Sequence, residues 1–246
     1  KRPVTQTTKR AMTPAQFQQS FTPRPPIVYT PPNTPVTVEA VTGNAVVGRS
    51  GTGEISMAVS DDNQNVLIGT NAGRAYSNDG GVTYIQAGRP LAGMPRNGDP
   101  SVAVGASGNF YYAMIAFPNG NAASGGVAGC STAVASSADG GVNFNLTGHA
   151  VLSPLGPGAG VFFPDQEHIA ADRVNQAGGN DQIYSVWRNF TTANPLATCN
   201  GIGSGSVTNS IVCSQDGGAN WTAAAAVGGG DFPRVAVGSG GFVYVV

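Results

Sequence analysis

Ser77-Asn78-Asp79-Gly80-Gly81-Val82-Thr83-Tyr84 is the first of three copies of one eight-residue pattern in this chain. The second copy spans residues 137–144 (SADGGVNF) and the third spans residues 214–221 (SQDGGANW). Adjacent glycines can take the positive φ angles that tight hairpin turns need, and an Asp carboxylate can accept hydrogen bonds from the backbone of its own turn. The pattern therefore predicts three β-hairpin turns of the same build.

Each position that the three copies share has a physical role within its turn. The Ser and Asp side chains bond to the backbone, the second Gly supplies the turn, and the closing aromatic ring buries an apolar face. We therefore interpret these residues as structural and not as ligand-binding. They are Ser77, Asp79, Gly81, Thr83, Tyr84, Ser137, Asp139, Gly141, Phe144, Ser214, Asp216, Gly218 and Trp221.

The three turns resemble the Asp-boxes, or bacterial neuraminidase repeats, of sialidase-like β-propellers, whose pattern is Ser-x-Asp-x-Gly-x-Thr-Trp. The first copy departs from that pattern in Tyr84, the second in Asn143 and Phe144, and the third in Asn220. The resemblance covers residues 50–246. It implies four-stranded blades arranged around an axis, with the turns on one rim and any ligand on the other.

The spacing of the repeats agrees with blades. Asp99, Asp165 and Asp231 recur every 66 residues, each ahead of an apolar run, which predicts a structural cap at one position of every blade. The expected fold is all-β, a propeller of three four-stranded blades plus the start of a fourth. Because closed propellers typically have four to eight blades, we expect these blades to belong to a longer, six- or seven-bladed propeller.

Composition divides the chain into two parts. Residues 1–35 are rich in Pro and Thr and carry five basic residues and no acidic one, which predicts an extended basic arm. Residues 36–246 form the propeller region, with Val36–Val47 expected as a further strand. Charged residues make up only 10% of the chain and its net charge is −1, so nucleic acid is not an expected partner. No apolar run approaches 20 residues, so no membrane span is predicted.

The ligand-side candidates lie in segments that the resemblance places on the rim opposite the turns. They are Arg49, Arg96, Glu167, His168 and Arg188. His168 follows Glu167 in a segment where many Asp-box proteins have Trp, and it is either a packed side chain or a group that titrates near neutral pH. Sialidases hold a substrate carboxylate with three arginines, but the Phe-Arg-Ile-Pro motif of the first is missing here, so no catalytic residue is assigned.

Two other features leave alternatives open. Cys199 and Cys213 bracket a Gly/Ser-rich segment that a disulfide would close, but three cysteines leave at least one unpaired. Residues 60–65 (SDDNQN) are either a hairpin turn or an oxygen-rich calcium site. No other metal or cofactor is expected, since no Cys-x-x-Cys spacing occurs.

These observations favour a secreted or cell-surface propeller that acts as a non-catalytic binding or assembly module. Its partner would be a carbohydrate or another protein chain, and the basic arm and open blade edges could join it to copies of itself. The alternative is a sialidase-type glycoside hydrolase whose catalytic half lies beyond this chain. A third hypothesis is a chaperone or assembly factor built from the same repeats.

Overall fold

The computed structural model describes residues 53–91, 97–116, 129–154, 162–191, 207–238 and 240–246. In these ranges the chain forms fourteen β-strands. The strands are β1 (Ser56–Val59), β2 (Val66–Thr70), β3 (Gly73–Ser77), β4 (Ile85–Ala87), β5 (Asn97–Val104), β6 (Phe110–Ala116), β7 (Gly129–Ser137), β8 (Asn145–Pro154), β9 (Phe162–Ala177), β10 (Asn180–Thr191), β11 (Val207–Ser214), β12 (Ala225–Gly228), β13 (Val235–Val237) and β14 (Val243–Val245). The described residues contain no helix long and apolar enough to span a lipid bilayer.

The strands form antiparallel sheets in simple sequence order. Strands β1 to β4, β5 to β8 and β9 to β12 make three four-stranded sheets, and β13 pairs with β14. We call these sheets blades 1 to 4. The expected fold class, three blades and the start of a fourth in an all-β propeller, is confirmed.

The first strand of every blade faces a shared axis. The backbone N–H of Val102 in β5 donates to Ser56 Oγ at 3.0 Å, and the N–H of Ile169 in β9 donates to Ser101 Oγ at 2.9 Å. Arg173 at the far end of β9 reaches the Val59 carbonyl at 3.0 Å and forms an ion pair with Asp61. Blades 1 and 3 are not neighbours in the meander, so this contact crosses the axis.

Blade 2 is buried on both faces because a neighbouring blade packs on each. All seven residues of β6 are buried, and residues 110–114 alternate between two apolar clusters. Phe110, Tyr112 and Met114 pack toward Leu67 of blade 1, whereas Tyr111 and Ala113 join the cluster shared with blade 3. This alternation follows from the two-residue period of a strand.

The three Ser-x-Asp-Gly-Gly turns have the same hydrogen bonds. In the first, Ser77 Oγ donates to Asp79 Oδ1 at 2.7 Å and accepts from the Gly81 N–H at 2.8 Å. Thr83 donates to Asp79 through its N–H at 2.9 Å and its Oγ1 at 2.6 Å. Asn143 and Asn220 make the matching pairs of bonds in the other two turns, which explains why an amide can replace the hydroxyl there. Both glycines of each turn have φ between 71° and 93°.

The turn of blade 2 also receives a cation from blade 1. Arg74 in β3 donates to the Gly141 carbonyl at 3.1 Å and to the Val142 carbonyl at 2.6 Å. Its guanidinium carbon lies 5.2 Å from the centre of the Phe144 ring, a cation–π geometry. The turns therefore connect adjacent blades as well as adjacent strands.

Several predicted element bounds were wrong. The sequence predicts long loops at 118–132, 147–165 and 188–209, but the strands β7, β8, β10 and β11 extend into them, so Arg188 lies in β10 and not in a loop. Backbone pairing between neighbouring strands runs through these stretches and outweighs their Gly and Ser content. The basic arm, the strand predicted at 36–47, Arg49, Arg96 and Cys199 lie outside the described residues. The disulfide between Cys199 and Cys213 stays a prediction.

Residues 60–65 form a hairpin turn between β1 and β2. The Ser60 N–H donates to the Asn65 carbonyl at 2.9 Å, and the Gln64 N–H donates to Asp62 Oδ1 at 3.0 Å. The Asp62 carboxylate also accepts the hydroxyl hydrogen of Ser60 at 2.5 Å. The segment is polar because its side chains form the hydrogen bonds of its own turn.

Candidate binding site at the blade axis

One strained residue recurs in each blade, either just before the first strand, as in blades 1 and 4, or within its first five residues, as in blades 2 and 3. Glu54, Asp99, Gln166 and Phe232 have φ angles of 56°, 49°, 54° and 57°. Residues other than Gly rarely adopt this left-handed conformation, and they do so where the surrounding structure imposes it. Four occurrences at one position of four blades therefore mark a feature of the fold. The prediction that Asp99, Asp165 and Asp231 share a position was wrong by one residue in the last two blades.

Hydrogen bonds connect these strained residues from blade to blade. Asp99 Oδ2 accepts from the Gln166 N–H at 3.2 Å, and Gln166 Oε1 accepts from the Phe232 N–H at 3.1 Å. The pairing of β5 with β6 and that of β9 with β10 are both irregular beside these residues. Such bulges re-aim side chains. The result is a row of hydrogen-bonded residues from blades 2 to 4 at one end of the axis.

His168 has a place in the same pattern, two residues after the strained position. Its Nδ1 accepts from the Val235 N–H at 3.3 Å, as the hydroxyls of Ser56 and Ser101 accept from the blade that follows them. Burial, with the charge of Arg234 adding to it, lowers the pKa of His168 to about 4. The imidazole is therefore neutral at neutral pH and connects blades 3 and 4.

The neutral state of His168 makes stability depend on pH. Because its folded pKa of about 4 lies below its ordinary value of 6.5, its contribution to stability is present above pH 6.5 and is lost as the pH falls to 4. We expect His168→Ser, which keeps an acceptor, to lose less stability than the unmodified chain between pH 7 and pH 4.5 in urea unfolding. Ser101→Ala is the control, since it removes an acceptor without a titrating group. Equal pH dependence of the unmodified chain and His168→Ser would contradict this assignment.

These residues line a cavity of about 180 Å³ that opens to solvent at the blade axis. Blade 1 contributes Glu54 to Ser56, blade 2 contributes Asp99 to Ser101, and blade 3 contributes Gln166 to His168. Phe232 and Arg234 of blade 4 complete the wall. We call this cavity the axial pocket. In every blade, the residues that line the axial pocket come from the same three positions, which begin at the residue with positive φ.

Four carboxyl groups lie in or beside the axial pocket, and three of them, Glu54, Asp99 and Asp165, are joined by hydrogen bonds. Burial, followed by hydrogen bonds with Glu54 and Asp165, raises the pKa of Asp99 to about 8. The hydrogen bond with Asp99 lowers the pKa of Glu54, whereas burial raises the pKa of Asp165. Asp99 therefore holds a proton at neutral pH and Glu54 is ionised.

Glu167 is the most enclosed of these acids. Its side chain is 3% exposed, and neither carboxyl oxygen has a hydrogen-bond partner among the described residues. Burial raises its pKa well above the ordinary value, and the neighbouring acids Asp99, Asp165 and Glu54 add to this rise. A buried polar group without a partner costs about 1–3 kcal/mol, so the Glu167 carboxyl group lowers the stability of the fold locally.

Two arginines balance part of this charge. Arg188 of β10 forms an ion pair with Asp231 between blades 3 and 4. Arg234 lines the axial pocket and donates to the Pro233 carbonyl at 3.0 Å. Of the predicted ligand-side candidates, the structure thus brings Glu167, His168 and Arg188 to one end of the axis. Sequence reasoning missed Glu54, Gln166, Phe232 and Arg234, although Gln166 and Phe232 each directly follow a repeated Asp opener.

The strands and the axial pocket define an all-β propeller of four-stranded blades with a polar site on its axis. A scan against known protein families finds no match, and a search of curated proteins finds no significant match. Solved structures similar to the chain include the α-L-arabinanase of Penicillium chrysogenum complexed with arabinobiose, at 14% identity and a TM-score of 0.48. The match covers 75% of this chain and 53% of that one.

Two further solved structures are similar to the same extent. The GH93 α-L-arabinofuranosidase of Fusarium graminearum, in complex with arabinobiose, matches at 12% identity and a TM-score of 0.46, covering 76% of this chain and 53% of that one. A protein of unknown function from Dyadobacter fermentans matches at 16% identity and a TM-score of 0.49, covering 79% and 61%. The structural neighbours thus include glycosidases, and the chain spans little more than half of their length.

Proposed function

We propose that this chain is part of a carbohydrate-binding β-propeller and that the sugar binds in the axial pocket. The observation that carries the proposal is the composition of the pocket wall: carboxyl groups, one amide and one guanidinium group beside an exposed aromatic ring. Sugar hydroxyls both donate and accept hydrogen bonds, which suits carboxylates and Arg234. The ring of Phe232 is 58% exposed at the pocket and offers an apolar surface to the face of a sugar.

The rigidity of the pocket supports binding. The side chains of Asp99 and Gln166 are held by backbone N–H groups of the next blade, so their oxygens are positioned before a ligand arrives. A site that is ordered in advance loses less conformational entropy on binding. A non-catalytic binding or assembly module, as favoured by the sequence, needs nothing more than such a site.

Removing the aromatic ring should weaken sugar binding. A glycan array identifies a saccharide ligand, and isothermal titration calorimetry of the full chain then compares affinities. We expect Phe232→Ala to raise Kd about tenfold or more, since the loss of about 1.4 kcal/mol corresponds to a factor of ten. Phe242→Ala, which removes a ring of similar exposure outside the axial pocket, is the matched control and should leave Kd unchanged. No saccharide binding, or equal effects of both variants, would refute the proposal.

Glycoside hydrolysis is the second candidate, and the carboxyl groups favour it. A protonated Asp99 beside an ionised Glu54 is a pair of acids whose pKa values are driven apart, the arrangement that general acid and base catalysis uses. Release of the fluorophore from aryl glycosides, with a sialoside and an α-L-arabinofuranoside among them, would support hydrolysis. Turnover that persists in Asp99→Asn would place the chemistry elsewhere.

Assembly through blade edges is a further part of the proposal. Phe242 and Tyr244 on the outer side of blade 4 are 70% and 58% exposed, and Met57 of blade 1 is 60% exposed. Apolar side chains of this size are normally covered, so a further blade or a second copy of the chain would stabilise them. We propose a secreted or cell-surface location for such an assembly. Sedimentation of the full chain with and without residues 1–35 tests whether the basic arm takes part.

A further inference from the structure

We propose that Asn145 is the N-glycosylation site of this chain, with the glycan attached to its side-chain amide at the outer strand of blade 2. The inference rests on the proposed secreted or cell-surface location, because N-glycosylation takes place in the secretory pathway. The acceptor sequence for such a glycan is Asn-x-Ser/Thr, with x other than Pro. It occurs three times in this chain, at residues 145–147 (NLT), 189–191 (NFT) and 220–222 (NWT).

The surroundings of Asn145 leave room for a glycan. Asn145 is exposed and is the first residue of β8. The residues on either side of it, Phe144 and Leu146, pack against the apolar cluster that blades 1 and 2 share. Because successive side chains along a strand point to opposite faces, the Asn145 side chain points away from that cluster. A glycan on its amide therefore extends into solvent.

The second acceptor sequence lies inside blade 3. The Asn189 side chain is half-buried, and both ends of its amide are bonded within the sheet. Its Oδ1 accepts from Trp187 Nε1, and its Nδ2 donates to Ser210 Oγ at 2.8 Å. The Trp187 ring is 1% exposed, so the first sugar of a glycan would have to enter beside a packed ring. A glycan at Asn189 therefore opposes the folding of blade 3.

The third acceptor sequence is part of a hairpin turn. Asn220 is exposed, but its Nδ2 donates to Asp216 Oδ2 at 2.7 Å and its N–H donates to Asp216 Oδ1 at 2.8 Å. Thr83 and Asn143 make the same pair of bonds in the other two turns. A glycan on the Asn220 nitrogen would replace one of its hydrogens and crowd the Asp216 carboxylate. Of the three acceptors, Asn145 is thus the one that the fold leaves unused.

The Asn145 site and the axial pocket lie at opposite ends of blade 2. Strand β5 begins beside the pocket, which residues 99–101 line, and it ends at Val104. The pairings from β5 to β8 are all antiparallel, so β8 begins at the end of the blade where β5 finishes. A glycan at Asn145 therefore leaves the axial pocket open to its ligand.

The glycan also covers a strand edge. Strand β8 is the last strand in the sheet order of blade 2, so one side of its backbone has no partner strand within the blade. Such an edge can pair with a strand of another chain, and a bulky polar group beside it blocks that pairing. A glycan at the beginning of β8 would thus direct association of the chain away from this edge.

The test is peptide mass spectrometry of the full chain secreted from a yeast host. Peptide N-glycosidase in heavy-oxygen water removes each glycan and marks the Asn that carried it. We expect the mark at Asn145 and at neither Asn189 nor Asn220. Asn145→Gln should lose the whole glycan mass from the intact chain, whereas the matched control Asn189→Gln should keep it. An unmarked Asn145, or a mark at either of the other two sites, overturns the inference.

A second measurement decides the question if the host does not secrete the chain. In unglycosylated chain with Cys130, Cys199 and Cys213 replaced by Ser, a maleimide-linked oligosaccharide is attached to Asn145→Cys or to Asn189→Cys. Attachment at position 145 should leave the urea midpoint unchanged, and attachment at position 189 should lower it. Equal loss at the two positions overturns the inference. Neither result bears on carbohydrate binding in the axial pocket, which calorimetry tests separately, so the two proposals can fail independently.

Discussion

Asp181→Ala should lower the free energy of unfolding by about 3–5 kcal/mol, because it removes a buried charge that connects blades 2 and 3. The side chain of Asp181 is 2% exposed and accepts four hydrogen bonds. Two come from the N–H and the hydroxyl of Ser107, and one comes from Tyr111 Oη at 2.8 Å. Alanine would leave these donors buried without an acceptor, which is the costly way to break such a network.

The surroundings of Asp181 cannot rearrange easily. A Cβ atom at position 105 would lie 2.2 Å from Asp181 Oδ2. Only glycine at this position lets the backbone of blade 2 come so close to the carboxylate. Urea unfolding followed by tryptophan fluorescence measures the loss. Asp62→Ala is the control, since its carboxylate serves only an exposed turn, and it should change stability little. A loss below about 1 kcal/mol for Asp181→Ala would contradict the assignment of this residue as an inter-blade acceptor.

Protonation of Asp181 should lower the stability of the fold, as its replacement by alanine does. Burial raises the pKa of Asp181, but the hydrogen bonds led by those of Ser107 outweigh burial, so the net pKa lies below its ordinary value. The stability from this group is therefore present above pH 3.8 and is lost as the pH falls through the folded pKa. We expect Asp181→Ala to flatten the acid limb of the stability profile below pH 4.

Trp187→Ala should cost about 3–5 kcal/mol of stability, since it empties the largest buried side chain of the described residues. Trp187 is 1% exposed and belongs to the apolar cluster that blades 2 and 3 share, beside Val134 and Ile183. Its Nε1 donates to Asn189 Oδ1 at 2.5 Å, a bond that is lost as well. The measurement is urea unfolding followed by far-UV circular dichroism, because the variant removes one of two tryptophans.

The control for Trp187→Ala is Val174→Ala in the exposed part of β9, where the side chain is 64% exposed. That variant should stay within about 0.5 kcal/mol of the unmodified chain. Trp187→Phe should lie between the two, because it keeps most of the apolar volume and loses the hydrogen bond. If Trp187→Ala and Val174→Ala have equal stability, the packing of blade 3 against blade 2 is not as described.

The hairpin turns could be predicted from sequence because their information is local. Asp79 bonds within the residues that surround it, so the spacing of Ser, Asp, Gly and Thr is enough to specify the geometry. The interval between turns then indicated blades. These patterns involve residues that are close in sequence, so a single sequence is enough to recognise them.

The axial pocket could not be predicted in the same way. The wall joins Glu54, Asp99 and Gln166, which lie far apart in sequence and meet only after the blades are placed in register. The repeat suggested that Asp165 corresponds to Asp99, but the positive φ angle falls on Gln166. The function of His168 as an acceptor between blades required the position of Val235, which composition does not reveal.

The central claim is that the first strands of the blades converge on one axis, so that blades 1 and 3 meet across it. Arg173 and Asp61 form that contact. With Cys130, Cys199 and Cys213 replaced by Ser, the pair Asp61→Cys and Arg173→Cys should be joined within one chain by a short bismaleimide. The pair Asp61→Cys and Asp231→Cys, at opposite ends of the first strands, should not be joined. A missing crosslink in the first pair, or equal crosslinking in both, would contradict the shared axis on which the pocket depends.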